Sequence, residues 1–422
     1  MSTDERGHAV ETHVETWGDL IAPLSVSDFF ANYWEKKFLH LHNDPRRFSS
    51  YFSLDDFDRW LTSTRGSLFI SPPQADAETE RYRPQEISLS SAYAAFARRC
   101  LLVLSPVTDW PPIQGLAKAL GRDFQAEITV EAHLAPEDTR TFPPYVAGHD
   151  VLILHLEGER IWHLHEFSLL QINPAQKKNL KFPLKWYGRT KAPVAAEVCL
   201  KPGDLLFIPR GMPHRAVAQS GACLHLDFSI TPLVWMDFLK IAAECVAVHS
   251  DDLRRALPPG FVENQEISER MRSIFQDVMK TFQEMTSFDE VLAAVRRNRV
   301  KLQSYPPDGH FAQLAMLTGL APDSEIERRR DLLCAVDDVV DVNKNPKVAI
   351  FFGTEHVAGP PHLRRALEFI RDQAKFRVSE VPGLDEKSQL VLVRRLILEG
   401  LLRRVLSTGR VEQPEPAVPV SG

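Results

Sequence analysis

The sequence has no uninterrupted apolar run approaching the roughly eighteen residues that a membrane-spanning helix needs. Its first stretch, Met1 to Glu15, is polar and carries several charges. Neither a membrane span nor a secretory signal is expected, and the reading is of a cytoplasmic protein. Cysteine is scarce: five residues (Cys100, Cys199, Cys223, Cys245, Cys334) are scattered, odd in number and form no Cys-x-x-Cys. That excludes a disulfide framework and a zinc knuckle, and points to reduced packing thiols. An excess of positive charge is missing too, since 50 Lys and Arg stand against 56 Asp and Glu for a net −6. No global field for nucleic acid is expected. What remains is an ordinary globular composition, 44% hydrophobic and 25% charged over 422 residues, enough for two or three domains.

The most informative stretch is Lys201 to His214, Lys-Pro-Gly-Asp-Leu-Leu-Phe-Ile-Pro-Arg-Gly-Met-Pro-His. Gly203 and Asp204 suit a tight turn, Leu205 to Ile208 a short buried strand, and Pro209 with Gly211 a second bend that aims His214 back at the strand. Upstream, Ser25-Val-Ser-Asp28 reads as a capping box opening a helix through Phe29, Phe30, Tyr33 and Trp34, whose spacing makes one aromatic face for a core. Ser53-Leu-Asp-Asp56 repeats that signal ahead of Phe57, Trp60 and Leu61. Between the two helices, Lys37 to His42 is extended; His40 and His42 are expected to pair with surface carboxylates and are given no ligand role. From Ala126 to Ile230 the pattern is of strands: Ile128 to Leu134 alternates, Asp150 to Leu156 is a buried run, and Glu157-Gly158 is predicted to turn it back as a hairpin into Arg160 to Leu164. Leu205 to Ile208, Arg215 to Ala218 and Cys223 to Ile230 complete a sandwich or barrel.

Two sets of residues carry a family resemblance. Gly203, Pro209, Gly211 and His214 resemble, in spacing, the second histidine motif of the cupin barrel. The run Phe-Phe-Ala-Asn-Tyr-Trp-Glu-Lys-Lys-Phe-Leu-His-Leu from Phe29 resembles the entry to the JmjC-type ribosomal oxygenases, and the likeness continues along most of the chain. The resemblance implies an α+β fold: a double-stranded β-helix with N-terminal helices, a helical dimerisation region and a C-terminal winged-helix-like domain. It also implies iron(II) and 2-oxoglutarate as cofactors, a protein or peptide substrate, and a homodimer. On this basis residues 1–15 are a flexible start, 16–231 the JmjC barrel, 232–308 the helical dimerisation region, 309–406 the winged-helix-like domain and 407–422 a disordered tail.

The resemblance also identifies a departure. The family holds iron with a His-x-Asp pair and a distal His, a facial triad with positions left open for 2-oxoglutarate and oxygen. In Pro144-Tyr-Val-Ala-Gly-His-Asp150 the ligand His falls on Tyr145 and the ligand Asp on Ala147, and no shifted register supplies a substitute. His214 carries over. Arg160 lies where the family places the cation for the distal carboxylate of 2-oxoglutarate, although an arginine past a hairpin can equally face solvent. The candidate cofactor-binding residues are therefore Arg160 and Tyr145. Glu131, His133 and His155 stand where Asn, Tyr and Gln are usual, and with His214 they are the candidate ligands of a relocated metal site, the alternative being histidines that hydrogen-bond one another or a ligand carboxylate. His149 and Asp150 are weaker candidates, His163 and His165 structural or surface groups, and His225 a hydrogen-bonding core residue.

Beyond Thr231, Pro232 to Val248 and Ile267 to Leu302 read as helices, the second amphipathic. Gln303 to Gly309 reads as a linker, and Val348 to Val405 as a small mixed domain with helices at Pro361 to Arg371 and Leu384 to Gly400. Its arginines are interleaved with acids, which favours a structural or protein-contact module over nucleic-acid binding. Two functions remain: an iron(II)/2-oxoglutarate hydroxylase of a protein or peptide side chain, or a non-catalytic or altered-metal dimeric cupin that binds a peptide or small carboxylate.

Overall fold

The alternating runs in the middle of the chain become one antiparallel sheet. The computed structural model describes residues 16–62, 66–71, 83–85, 89–139, 145–166, 193–301, 310–315, 317–329, 332–341 and 343–405. Its first strands are β1 (Leu39–Leu41), β2 (Ser67–Ser71), β3 (Arg83–Gln85), β4 (Leu101–Ser105), β5 (Ala126–Ala135), β6 (Tyr145–Val146), β7 (Asp150–His165), β8 (Val194–Leu200), β9 (Leu205–Ile208) and β10 (Pro213–Pro232). They pair in the order β1-β9-β7-β10-β5-β4-β2-β3, with β6 on β10 and β8 on β7. The expected flexible start, linker and tail lie outside the described residues.

Side chains alternate across the sheet, so one face can be apolar while the other carries chemistry. Val130, Ala132 and Leu134 of β5, Leu152 and Leu154 of β7, and Leu224, Leu226 and Phe228 of β10 join one core. That core is shared with the helices α1 (Trp17–Ile21), α2 (Val26–Asn32), α3 (Leu54–Leu61), α4 (Leu89–Ala97) and α5 (Pro111–Asp123). Full burial of each large side chain contributes about 1.5–3 kcal/mol. The capping signals hold: Ser25 Oγ accepts from the Asp28 amide, and Ser53 and Asp56 form a reciprocal box. Helix α2 stops at Asn32, sooner than the aromatic spacing suggested, and the chain leaves it through Glu35 at φ 56°. Its aromatics still cluster, with Phe29 packed edge-on to Phe207 and Trp34 stacked over it.

The predicted hairpin at Glu157-Gly158 does not form. β7 runs unbroken from Asp150 to His165, and the stretches expected as separate strands at Arg215 and Cys223 are one twenty-residue strand, β10, paired with β7 along its length. The register slips between Ala218 and His225, opposite Gly158, and Gly158 takes φ 74°. A Cβ there would lie 2.6 Å from the Ala222 carbonyl oxygen, so only glycine permits the approach. The bulge reverses the alternation. Before it the odd residues Val151, Ile153 and His155 face the interior of the roll; after it the even residues Arg160, Trp162 and Leu164 do. Val151, Ile153, Trp162 and Leu164 share one apolar cluster across the slip.

A second unit begins at Trp235. The amphipathic stretch expected as one helix is two, Gln265–Met285 and Phe288–Lys301, following Trp235–His249. The break comes at Thr286, whose hydroxyl donates back to Phe282, and Ser287, which accepts from the Glu290 amide. The mixed region starts earlier than Val348: the strand Glu325–Arg328 lies between Lys375–Arg377 and Leu402–Arg404, and Cys334–Val340, Pro346–Phe352 and Glu355–Gly359 make another three-stranded sheet. Ile326, Val336, Ile350 and Phe352 form a core with the helices Arg364–Asp372 and Glu386–Leu398. Several of its arginines are tied internally: Arg364 to Asp338 and Glu368, Arg395 to Glu399, Arg403 to Glu327.

Candidate functional site

The inner face of the sheet holds a polar cluster, called the chamber below for its place inside the roll. Glu131 and His133 enter from β5, His225 and Asp227 from β10, His155 and Arg160 from β7. Strand register places them: His225 is opposite His133 on one side and His155 on the other, and Asp227 is opposite Glu131. The three imidazoles are stacked across the strands, His133 and His225 at 4.9 Å between ring centroids, His225 and His155 at 6.2 Å. Arg160 is 1% exposed, which settles its orientation: it faces inward. Its Nη1 donates to His225 Nδ1 at 3.2 Å, and the guanidinium lies 5.6 Å from the Trp162 ring.

Glu131 accepts from Ser105 Oγ at 2.7 Å and from His133 Nε2 at 3.2 Å. Burial works to raise its pKa, but the His133 and Ser105 bonds outweigh it and hold the carboxyl below its usual range. Asp227 is the opposite case. Burial pushes its carboxyl up to about 7, with the adjacent Glu131 adding to the rise against His133 and Arg160, and its Oδ1 has no hydrogen-bond partner. His155 is fully buried; burial, helped by Arg160, drives it down to about 4, so it is neutral. Because His155 Nε2 donates to the Gly158 carbonyl at 3.0 Å, its Nδ1 is an acceptor, and that atom has no partner. His225 is held well below its ordinary value by burial and by Arg160, and acts as the expected core hydrogen-bonding histidine.

His214 stands farther along β10, opposite Tyr145 of β6 and Leu164 of β7, with its ring 5.9 Å from Trp162. Its Nδ1 donates to the Met212 carbonyl at 2.9 Å, making Nε2 the acceptor nitrogen. The Tyr145 side chain lies outside the described residues. Ala147 is 1% exposed and packs in the apolar cluster with Val151, Ile153 and Trp162; the Gly211 amide donates to its carbonyl. Among the described residues, no group of three His, Cys, Asp or Glu is disposed to hold a metal ion. Glu131, His133 and His155 thus belong to one chamber without forming a ligand set, and His214 stands apart. Ala147, which the family resemblance puts in a ligand position, contributes only a methyl group to that apolar cluster.

Two outlying expectations change. His40 and His42 do not reach surface carboxylates; both converge on Asp204, which is 1% exposed, at 3.3 and 2.6 Å. Asp150 serves structure instead of chemistry: its oxygens accept from the amide and Nη1 of Arg210, and Arg210 also pairs with Glu35. His163 pairs with Glu197 at 3.3 Å, and His165 is buried. Asp227 and Ser105 were not singled out by the sequence. Alternation within Leu224-His-Leu-Asp-Phe places Asp227 on the face of His225, and that signal could have found it.

A family model described as the JmjC domain matches residues 114–238, which span α5, the chamber strands and the His214 turn. The chain carries a JmjC domain. Ribosomal oxygenase 1 of Rattus norvegicus is 25% identical over 257 residues, 58% of this chain and 42% of that protein. The bifunctional lysine-specific demethylase and histidyl-hydroxylase NO66 of Culex quinquefasciatus is 25% identical over 383 residues, 82% of this chain and 58% of its own length. The chain thus spans about half the length of the curated relatives it matches. A structure of YcfD, a ribosomal oxygenase from Escherichia coli, in complex with cobalt and succinic acid, overlays at a TM-score of 0.51 with 16% identity, covering 90% of this chain and 98% of that one. That likeness establishes the fold. The JmjC domain is a mixed helix-and-sheet, cupin-like barrel of antiparallel strands.

Proposed function

We propose that this protein uses its JmjC barrel to bind a small carboxylate, with Arg160 as the counter-charge, and that it is not an iron-dependent hydroxylase of the usual kind. The observation that carries this reading is Ala147, buried among Val151, Ile153 and Trp162 at the position where the resemblance requires a carboxylate ligand. Arg160 is kept while the acid is not. A planar guanidinium pinned by His225 and bordered by Trp162 can take a carboxylate through two parallel bonds. Calorimetry with 2-oxoglutarate, with and without iron(II), tests it: binding is expected to be independent of iron and lost in Arg160→Met. Consumption of 2-oxoglutarate that requires iron and hydroxylates a peptide would overturn it.

A second reading is favoured by His214. Its Nδ1–H on Met212 presents Nε2 as the acceptor, the form in which an imidazole ligates a metal. In that reading an oxygenase acting on a protein or peptide side chain retains iron through an unusual ligand set. Near-stoichiometric metal that disappears in His214→Ala would support it.

The helical region, 232–308, is proposed as a dimer face and 309–406 as a winged-helix-like protein-contact module. Trp235 (74% exposed), Leu239, Phe275 and Met279 leave large apolar side chains uncovered. Light scattering is expected to give a dimer mass for the parent and a monomer mass for Trp235→Glu with Phe275→Glu.

A further inference from the structure

The helix Glu386–Leu398 has one side in a core and the other in water. Leu392, Val393, Leu396 and Ile397 are buried with the sheet strands of its own module. The opposite side carries Lys387, Val391, Arg394 and Leu398, all exposed. Spacings of four, three and four residues set these four on one stripe, about 16.5 Å long at 1.5 Å per residue.

A solvated helix face ordinarily ties its cations to acids one turn away. Arg395 is tied in that way, to Glu399. Lys387 and Arg394 are not: three and four places on they meet Leu390 and Val391, or Ile397 and Leu398, and among the described residues neither makes an ion pair. The stripe does little for the helix itself. Lys387 stands in the first turn, where the helix dipole disfavours a cation, and Val391 is a β-branched residue in the helix interior with 62% of its surface in water. Leu398 is 47% exposed, and the helix His310–Ala315, packed against this one, leaves Phe311 almost wholly uncovered.

A stripe that alternates cation, apolar, cation, apolar is complementary to one that alternates acid and apolar side chains. Nucleic-acid phosphates satisfy Lys387 and Arg394 but leave Val391 and Leu398 in water. A second copy of the same stripe brings no acid. We propose that this helix docks an acidic amphipathic segment of a partner protein, whose carboxylates meet Lys387 and Arg394 and whose apolar side chains cover Val391 and Leu398. The proposal rests on the reading of residues 309–406 as a protein-contact module and names the chemistry of its partner.

The test is fluorescence anisotropy on the full chain with labelled synthetic helices that carry Glu and Leu alternating along one face, or Lys and Leu in the same places. The Glu/Leu peptide is expected to bind at least about tenfold tighter than its Lys/Leu isomer, the scale of one charge-assisted contact. Arg394→Glu, and separately Val391→Ser with Leu398→Ser, are each expected to weaken it at least about tenfold with an unchanged melting temperature, because these side chains lie outside the core. Arg395→Gln, whose cation is already held by Glu399, is expected to leave the affinity within about twofold. Absence of binding by the Glu/Leu peptide, or binding indifferent to Arg394→Glu, overturns the proposal. Binding of the Lys/Leu isomer instead, lost with Val391 and Leu398, overturns the acidic partner and leaves the protein-contact reading standing. Binding of an RNA duplex or of phosphatidylserine-containing vesicles and of neither peptide, lost in Arg394→Glu, overturns both.

Discussion

Strand β7 feeds two buried ionic clusters that are built differently. At its start, Asp150 has a bond on each oxygen, both from Arg210, and Arg210 is bound again by Glu35. Ten residues on, past the bulge, Arg160 enters a chamber where Asp227 and His155 each keep an atom without a partner. Burial raises both acids, Asp150 to about 6 and Asp227 to about 7. The difference lies in the acids. Asp150 has both oxygens bonded within the loop of Arg210 and Gly211 that leads to His214, although Arg210 Nε has no partner, whereas Asp227 keeps one oxygen unbonded.

Breaking the Asp150–Arg210 cluster should have the largest effect. Arg210→Met strands a fully buried carboxylate and is expected to cost about 3–5 kcal/mol in urea unfolding near pH 7. The loss should shrink as pH falls toward about 6, because the variant's Asp150 takes up its proton at higher pH than the parent's, and level off below that. Gly158→Ala attacks the hinge between the clusters. A Cβ at φ 74°, 2.6 Å from a carbonyl oxygen, is expected to cost about 2–4 kcal/mol and to weaken carboxylate binding by displacing Arg160.

Asp227→Asn sharpens the comparison in the other direction. An acid whose folded pKa, about 7, lies above an unfolded value of about 4 binds its proton more tightly when folded. The parent therefore loses stability from this group as pH rises from about 4 to about 7. The variant should be more stable by about 1–3 kcal/mol at pH 8, with the gain fading toward pH 4, as read by melting curves across that range. Glu197→Gln, which removes the exposed partner of His163, is the control and should change stability by less than about 0.5 kcal/mol.

Much of this was legible in the residues. Gly203, Pro209, Gly211 and His214 fixed a turn, strand and bend that the structure reproduces, because glycine and proline restrict the backbone locally. Ser53 and Asp56 announced a helix start for the same local reason. The bulge was not legible, since Glu157-Gly158 has the composition of a hairpin turn and only the pairing of β10 on both sides decides otherwise. For Arg160 that difference separates a solvent-facing arginine from a buried one. Asp204 was read as a turn residue; its capture of His40 and His42 depends on a strand pairing that no local pattern encodes.

That last contact bears on how the chain assembles. β1 pairs with β9, and His40 and Asp204 are 164 residues apart. Gly203, at φ 87°, lets Asp44 approach so closely that a Cβ would lie 2.0 Å from its carbonyl oxygen. During synthesis β1 has no strand to pair with until most of the barrel has been made, and its short apolar edge waits unpaired. Closing a loop of that length is entropically slow to nucleate. The β1–β9 clasp is therefore expected to form last, and Asp204→Asn to slow refolding less than it speeds unfolding.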